Sequence, residues 1–127
     1  MLFADAYAWV EYFRGTEKGK RAAALIDDPK KDILTLESTL SEVKCWALRE
    51  RKPFEELYLA VRRNSRIIHP ALEDWLRAAE LRFEIRRSVQ DFGLMDALLL
   101  AAAERTGSTV LTGDPHFRKL AGAIFIG

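Results

Sequence analysis

Five short apolar runs punctuate the chain: LFA at 2–4, ILT at 33–35, RII at 66–68, TVLT at 109–112 and AIFI at 123–126. Each is too short and too uniform to alternate between a wet and a dry face, which is the pattern of a strand covered on both sides. Between them, residues 6–13, 17–27, 38–51, 54–64, 71–87 and 94–106 place apolar side chains at mixed spacings of three and four with charges between, the period of amphipathic helices. Strands alternating with helices predict an α/β fold with a parallel sheet. Pro29, Pro53 and Pro70 fall between these elements, Gly107 follows the last long helix as a C-terminal cap, and Gly113 follows the fourth strand. The segment LMDALLLAAAERTG is apolar nearly all round until Glu104, which predicts a helix buried against the sheet. With no internal repeat or low-complexity tract, residues 1–127 are expected to form one domain.

Composition narrows the classes without choosing one. A chain of 127 residues is long enough to bury roughly two-thirds of its extended surface. Hydrophobic residues at 49% and charged residues at 31% exclude intrinsic disorder. The net charge of +1 gives no overall basic field. Arg14–Lys31 and Arg49–Arg66 each carry six basic and three acidic residues, and such runs read as solvated helix faces. The one cysteine, Cys45, permits no intrachain disulfide and suits a reducing compartment. Within the helical segment LSEVKCWALRE it reads as a buried or neutral thiol with no catalytic part. No apolar run approaches the ~20 residues that span a bilayer, and the N-terminus lacks a signal-type pattern. A complete cytoplasmic protein with no membrane contact is expected. Trp9, Trp46, Trp75 and Phe54 read as core residues, with a dimer or partner surface as their alternative use.

Candidate chemistry lies in four acids. In a right-handed strand–helix–strand unit each helix starts at the carboxyl edge of the sheet. Asp5 ends the first strand; Glu42 opens the helix after the second; Asp96 lies in the first turn of the helix leading to TVLT; Asp114 follows that strand in STVLTGDPHF. All four are therefore expected on one rim, where open parallel sheets bind ligands. Each also has a plainer role. Thr39-Leu-Ser-Glu42 matches a capping box, Asp5 and Asp114 could cap the elements that follow them, and Asp96 suits a helix N-terminus. Jointly they would repel unless a cation neutralised them. Hard divalent cations such as Mg²⁺ suit oxygen donors, whereas His69 and His116 show no metal-ligand spacing and His69 reads as structural. Acidic metal sites of this kind serve phosphodiester hydrolysis.

The stretches LFADAYAWVEYF, TLSEV, DFGLMDALLLAAAERTGSTVLTGDPHF and the apolar C-terminal strand together resemble the PIN-domain nucleases, in particular the VapC-type ribonuclease toxins of toxin–antitoxin pairs. The resemblance spans nearly the whole chain, and its most specific part is the third stretch. It implies a PIN-like three-layer fold with a short parallel sheet of order 3-2-1-4-5 flanked by helices. It also implies a Mg²⁺- or Mn²⁺-dependent endoribonuclease that cleaves RNA phosphodiesters by metal-activated water, a cognate antitoxin and a homodimer. By the same resemblance Asp5, Glu42, Asp96 and Asp114 are the catalytic metal ligands, Asp114 matching the variable position. Many members carry Thr or Ser and then Asn after the first aspartate, where this chain has Ala6 and Tyr7. Thr112 could supply the missing hydroxyl from the opposite side, and Glu11 is either a further acid or the partner of a basic side chain. The main alternative is a PIN-fold RNA- or protein-binding module with weak or no nuclease activity. A structure-specific DNA nuclease would need more acids and an inserted arch, and a phosphoacceptor domain would need paired acids on the first strand.

Overall fold

Side-chain alternation on very short strands decides the layering. In a computed structural model that describes residues 1–127, Phe3, Leu34, Leu36 and Val110 point into one core while Leu2, Ala4, Ile33 and Leu111 point into the other. This is the period of two expected where both faces of a sheet are covered. The strands are β1 (Leu2–Ala4), β2 (Ile33–Leu36), β3 (Arg66–Ile68), β4 (Thr109–Thr112) and β5 (Ala123–Phe125). All pair in parallel in the order β3-β2-β1-β4-β5. The helices are α1 (Ala6–Arg14), α2 (Glu17–Ile26), α3 (Glu37–Arg49), α4 (Phe54–Asn64), α5 (Leu72–Ile85) and α6 (Leu94–Thr106). A 3₁₀ turn, Pro115–Phe117, lies between β4 and β5.

The larger core joins the sheet to α5 and α6 through Ala78, Leu81 and Leu98, and the smaller joins it to α1–α4 through Ala8, Trp9, Ala22, Val43 and Val61. Helix α6 has seven consecutive buried residues, Ala97–Ala103, so the all-round apolar segment does lie inside the molecule. Gly107 ends it in a left-handed conformation (φ 65°), the cap read from the sequence. The polar Thr35 in fully buried β2 is satisfied by the Trp9 indole, which donates at 3.1 Å, and by the Ser65 hydroxyl at 2.8 Å.

Several expectations need correcting. Only Trp9 of the four aromatic residues is buried; Trp46 and Phe54 are half-buried and Trp75 is 43% exposed. Apolar periodicity marks which face of α5 is dry but not how far that face extends past the core. Cys45 is exposed, because α3 turns its buried face through Thr39, Val43 and Ala47. Helix α5 stops at Ile85, short of the expected 87, and β5 stops at Phe125, with Ile126 buried beyond the strand. No helix is long and apolar enough to cross a membrane.

Candidate functional site

The chain turns from β1 towards β2 and β3 on one side and returns to β4 and β5 on the other, so its strand order reverses between β1 and β4. That junction opens a crevice at the carboxyl ends of the strands. Asp5 sits at the end of β1, and its N–H donates to the Leu111 carbonyl at 3.1 Å, extending the pairing with β4. Its carboxylate accepts the Ala8 N–H at 2.8 Å and so caps α1. Across the crevice, the Asp114 N–H donates to the Thr112 hydroxyl at 2.9 Å, and Asp114 Oδ1 accepts the His116 N–H at 2.9 Å, capping the 3₁₀ turn. Gly113 has to be glycine here: a Cβ would collide with the Tyr7 ring that lies over it. Asp96 reaches the same edge as the third residue of α6, whose N-terminus favours an anion. Capping and rim placement are therefore compatible at Asp5 and Asp114.

Glu42 reaches the rim differently from the sequence reading. Helix α3 starts at Glu37 with Leu36 as its cap residue and no side-chain capping bond, and Thr39 is buried within it. The Thr39–Glu42 capping box does not form, and Glu42 lies in the second turn. The helix continues directly from β2 without a polar break, which the TLSE signature disguised. Glu42 carries no hydrogen bond of its own, so the role that competed with a functional one is gone.

Electrostatics ties the four acids together. Asp5 is 7% exposed. Burial pushes its carboxyl up to about 7; the Thr112 hydroxyl and the Ala8 N–H offset this only in part, while Asp114 and Asp96 add to it. Asp96 is raised first by burial and then by Asp114, against a lowering contact with His116 and the Gly93 N–H. Partial desolvation against the rim, then the charges of Asp96 and Asp114, push Glu42 up to about 7. Its solvent-facing side is open, so water screens the pairwise part of that effect. No lysine or arginine pairs with any of the four. The one cation-capable group against them is His116, whose Nδ1 lies 3.6 Å from Asp96 Oδ2 and 3.5 Å from Asp114 Oδ1. Glu11 differs: Arg14 pairs with it at 3.2 Å and the Thr16 hydroxyl donates at 3.1 Å.

One donor of Asp96, one of Asp114 and one of His116 lie within 4.8 Å of one another, close enough to share a metal ion. Asp5 and Glu42 flank this trio without belonging to it. His116 is the residue the sequence reading missed. Spacing rules look for ligands three or four apart on a helix, whereas His116 is two residues past Asp114 and returns over the rim through a 3₁₀ turn. From the rim a groove of about 540 Å³ runs between α1 and α3, lined by Tyr7, Arg14, Glu42, Trp46, Arg49 and Asp114 among others. A second, of about 450 Å³, lies on the other side of Glu42 beside His69 and Trp75. His69 is exposed and pairs with Glu37 at 3.0 Å, away from the acids.

A cluster of carboxylates in which Asp5, Glu42 and Asp96 are raised by burial and by neighbouring acids, with no lysine or arginine partner, fits a hard divalent cation. The unpartnered, buried Nδ1 of His116 points to the same fit. Comparison with known proteins agrees with the fold. The PIN domain family model matches residues 2–123. A Klebsiella pneumoniae toxin–antitoxin complex contains a chain that is 21% identical and superposes with a TM-score of 0.80, over 100% of this chain and 98% of that one. The Mycobacterium tuberculosis VapC toxin that cleaves the sarcin-ricin loop is 18% identical with a TM-score of 0.76, over 96% of each chain. A chain in a Rickettsia felis VapBC complex bound to promoter DNA is 17% identical with a TM-score of 0.69, over 98% of this chain and 97% of that one. No curated protein sequence matches.

Proposed function

The chain belongs to the PIN domain family, and from that premise we propose that it is a metal-dependent endoribonuclease serving as the toxin of a toxin–antitoxin pair. The observation that carries this reading is the meeting of Asp5, Asp96 and Asp114, with Glu42 beside them, at the β1/β4 crevice without a lysine or arginine partner. Structural relatives described as toxin–antitoxin complexes support a cognate antitoxin as partner, and the family resemblance supports a homodimer acting in the cytoplasm.

Asp5, Glu42 and Asp96 would hold Mg²⁺ or Mn²⁺, with Asp114 binding it directly or through water. When bound by these residues, such an ion would supply Lewis acidity to a phosphoryl oxygen and would lower the pKa of water so that hydroxide is available near neutral pH. Asp5 is oriented by the Ala8 N–H and the Thr112 hydroxyl, which stands where Ala6 offers none. Arg14 and Arg49 on the groove walls would bind the RNA backbone, since phosphate contacts supply most of its sequence-independent affinity. Trp46, between them, offers a face for an unstacked base.

The test is cleavage of single-stranded RNA by purified protein with Mg²⁺, Mn²⁺ or EDTA, beside Asp96→Asn. Cleavage that needs a metal and vanishes in the variant supports the reading. Equal cleavage by wild type and Asp96→Asn overturns the site. Metal binding with no cleavage of any RNA would leave the PIN fold as a binding module, and preference for flapped DNA would make it a DNA nuclease.

A further inference from the structure

Resting on that reading, we infer that His116 is itself a ligand of the metal centre, so that the rim is a mixed nitrogen and oxygen site selective for Mn²⁺ over Mg²⁺. Its Nδ1 is buried and has no hydrogen-bond partner, although two carboxylate oxygens face it. At 3.5 and 3.6 Å those oxygens are too far to be hydrogen-bonded to it. A simple imidazolium–carboxylate pair would close to ~2.7–2.9 Å. Buried ring nitrogens without partners are uncommon enough to require a reason.

The spacing supplies one. Two donors that each sit ~2.1 Å from a shared ion stand ~3.0 Å apart at the right angle of an octahedral site and farther apart as that angle opens. The observed 3.5 and 3.6 Å exceed a hydrogen bond yet lie within a small adjustment of that range. Nor is the ring loosely placed. The backbone that carries it is fixed: the His116 main-chain N–H donates to Asp114 Oδ1 at 2.9 Å, and the next residue, Phe117, is fully buried with its ring 5.5 Å from that of Phe92. The turn is thus pinned on both sides, by a rim acid and by the core.

Chemistry then sets the preference. Mg²⁺ takes oxygen donors and retains water, while imidazole suits transition-metal dications. Mn²⁺ accepts both an imidazole and several carboxylates, so the nitrogen adds to its affinity and adds little for Mg²⁺. An all-oxygen rim would show no such gap.

The experiment uses the full chain without RNA. Pulsed electron paramagnetic resonance of bound Mn²⁺ reads nitrogen coordination directly, and calorimetry compares Mn²⁺ and Mg²⁺ binding to wild type, His116→Gln and Asp96→Asn. Wild type is expected to show ¹⁴N coupling from a directly bound ring nitrogen. His116→Gln is expected to lose that coupling and roughly 10-fold or more of its Mn²⁺ affinity, with a change under ~3-fold for Mg²⁺. Mn²⁺ bound by wild type without nitrogen coupling overturns the inference and leaves the proposed ribonuclease standing. Equal Mn²⁺ affinity in His116→Gln does the same. Absence of any metal binding at millimolar concentration, or unchanged binding in Asp96→Asn, overturns the proposed function itself. The wild-type spectrum needs no variant, so the outcome does not depend on His116→Gln folding.

Discussion

Asp5 and Asp74 are both aspartates near a helix N-terminus, and both are almost wholly buried, at 7% and 1% exposure. They are treated in opposite ways. Burial alone would raise Asp74, but Arg105 overturns that with donors at 2.8 and 2.9 Å, the Ala71 N–H adds a third at 2.8 Å, and the carboxyl is held below its ordinary range. The result is a joint between α5 and α6. Burial raises Asp5 too, yet its two hydrogen bonds fall short, its nearest charged neighbours are other acids, and the carboxyl is pushed up to about 7. A buried charge with complete partners fastens two helices. One left incomplete keeps free energy in reserve for a cation, and that difference separates structure from candidate function better than burial does.

The widest separation should come from neutralising the rim. Asp96→Asn or Asp5→Asn is expected to lower metal-dependent RNA cleavage by at least ~10²-fold, while circular dichroism stays native and the metal-free protein melts no lower at pH 8. A large loss of fold would make these acids structural, like Asp74. Arg105→Ala tests the other side. It leaves Asp74 buried without its counter-charge, at a cost of about 2–4 kcal/mol in denaturant unfolding, near the lower end for buried pairs because Arg105 is partly exposed. Cleavage per folded molecule should not change.

Acid should then pull the two regions apart. Asp5 and Glu42 titrate higher in the folded chain than the ordinary carboxylate value of ~4, so between pH ~4 and ~7 the folded state holds protons that the unfolded state has shed. Stability of the metal-free protein therefore falls as pH rises through that window. Asp74 has the reverse sign: its contribution is present above the ordinary carboxylate pKa and is lost as pH falls through its lowered value. Thermal unfolding without metal should peak on the acid side of neutrality, several degrees above its value at pH 8. Mn²⁺ should raise the midpoint more at pH 8 than at pH 5.5. A flat profile between pH 5 and 8 would mean that water or a counter-ion already compensates the rim.

How much of this was legible beforehand follows the range of the forces involved. β1, β2 and β4 were readable because a short buried run stands out against the helical periodicity around it, the half-exposed edge strands β3 and β5 by their brief apolar runs alone, and Asp5, Asp96 and Asp114 were placed by strand ends and one helix start. The sheet order came from resemblance to the PIN domains, since local pattern does not say which strands pair. Glu42 was placed on the correct rim through a wrong local argument, because TLSE looks like a cap until the preceding strand is seen to run straight into the helix. His116 was invisible since its relation to Asp96 crosses twenty residues of sequence and depends on a turn anchored by Phe117. The pairings that make Asp74 ordinary, with Arg105 on another helix, are equally non-local.

Glu11 offers the finest test of the criterion, with the smallest expected effect. It lines the groove beside Glu42 and Asp114 and is 8% exposed, so burial and position alone would enrol it with the candidate metal ligands. Its charge is nevertheless matched by Arg14 at 3.2 Å and its Oε2 accepts the Thr16 hydroxyl at 3.1 Å, which places it with Asp74 in kind though on the rim in space. Glu11→Gln keeps the shape and an acceptor for Thr16 while removing the charge. Calorimetry should therefore find Mn²⁺ affinity within ~2–3-fold of wild type, and unfolding should register a loss of about 1 kcal/mol or less, the scale of a part-exposed pair. A ~10-fold loss of metal affinity would show that an acid already satisfied by a cation still serves the rim, and pairing would no longer distinguish the two kinds of buried carboxylate.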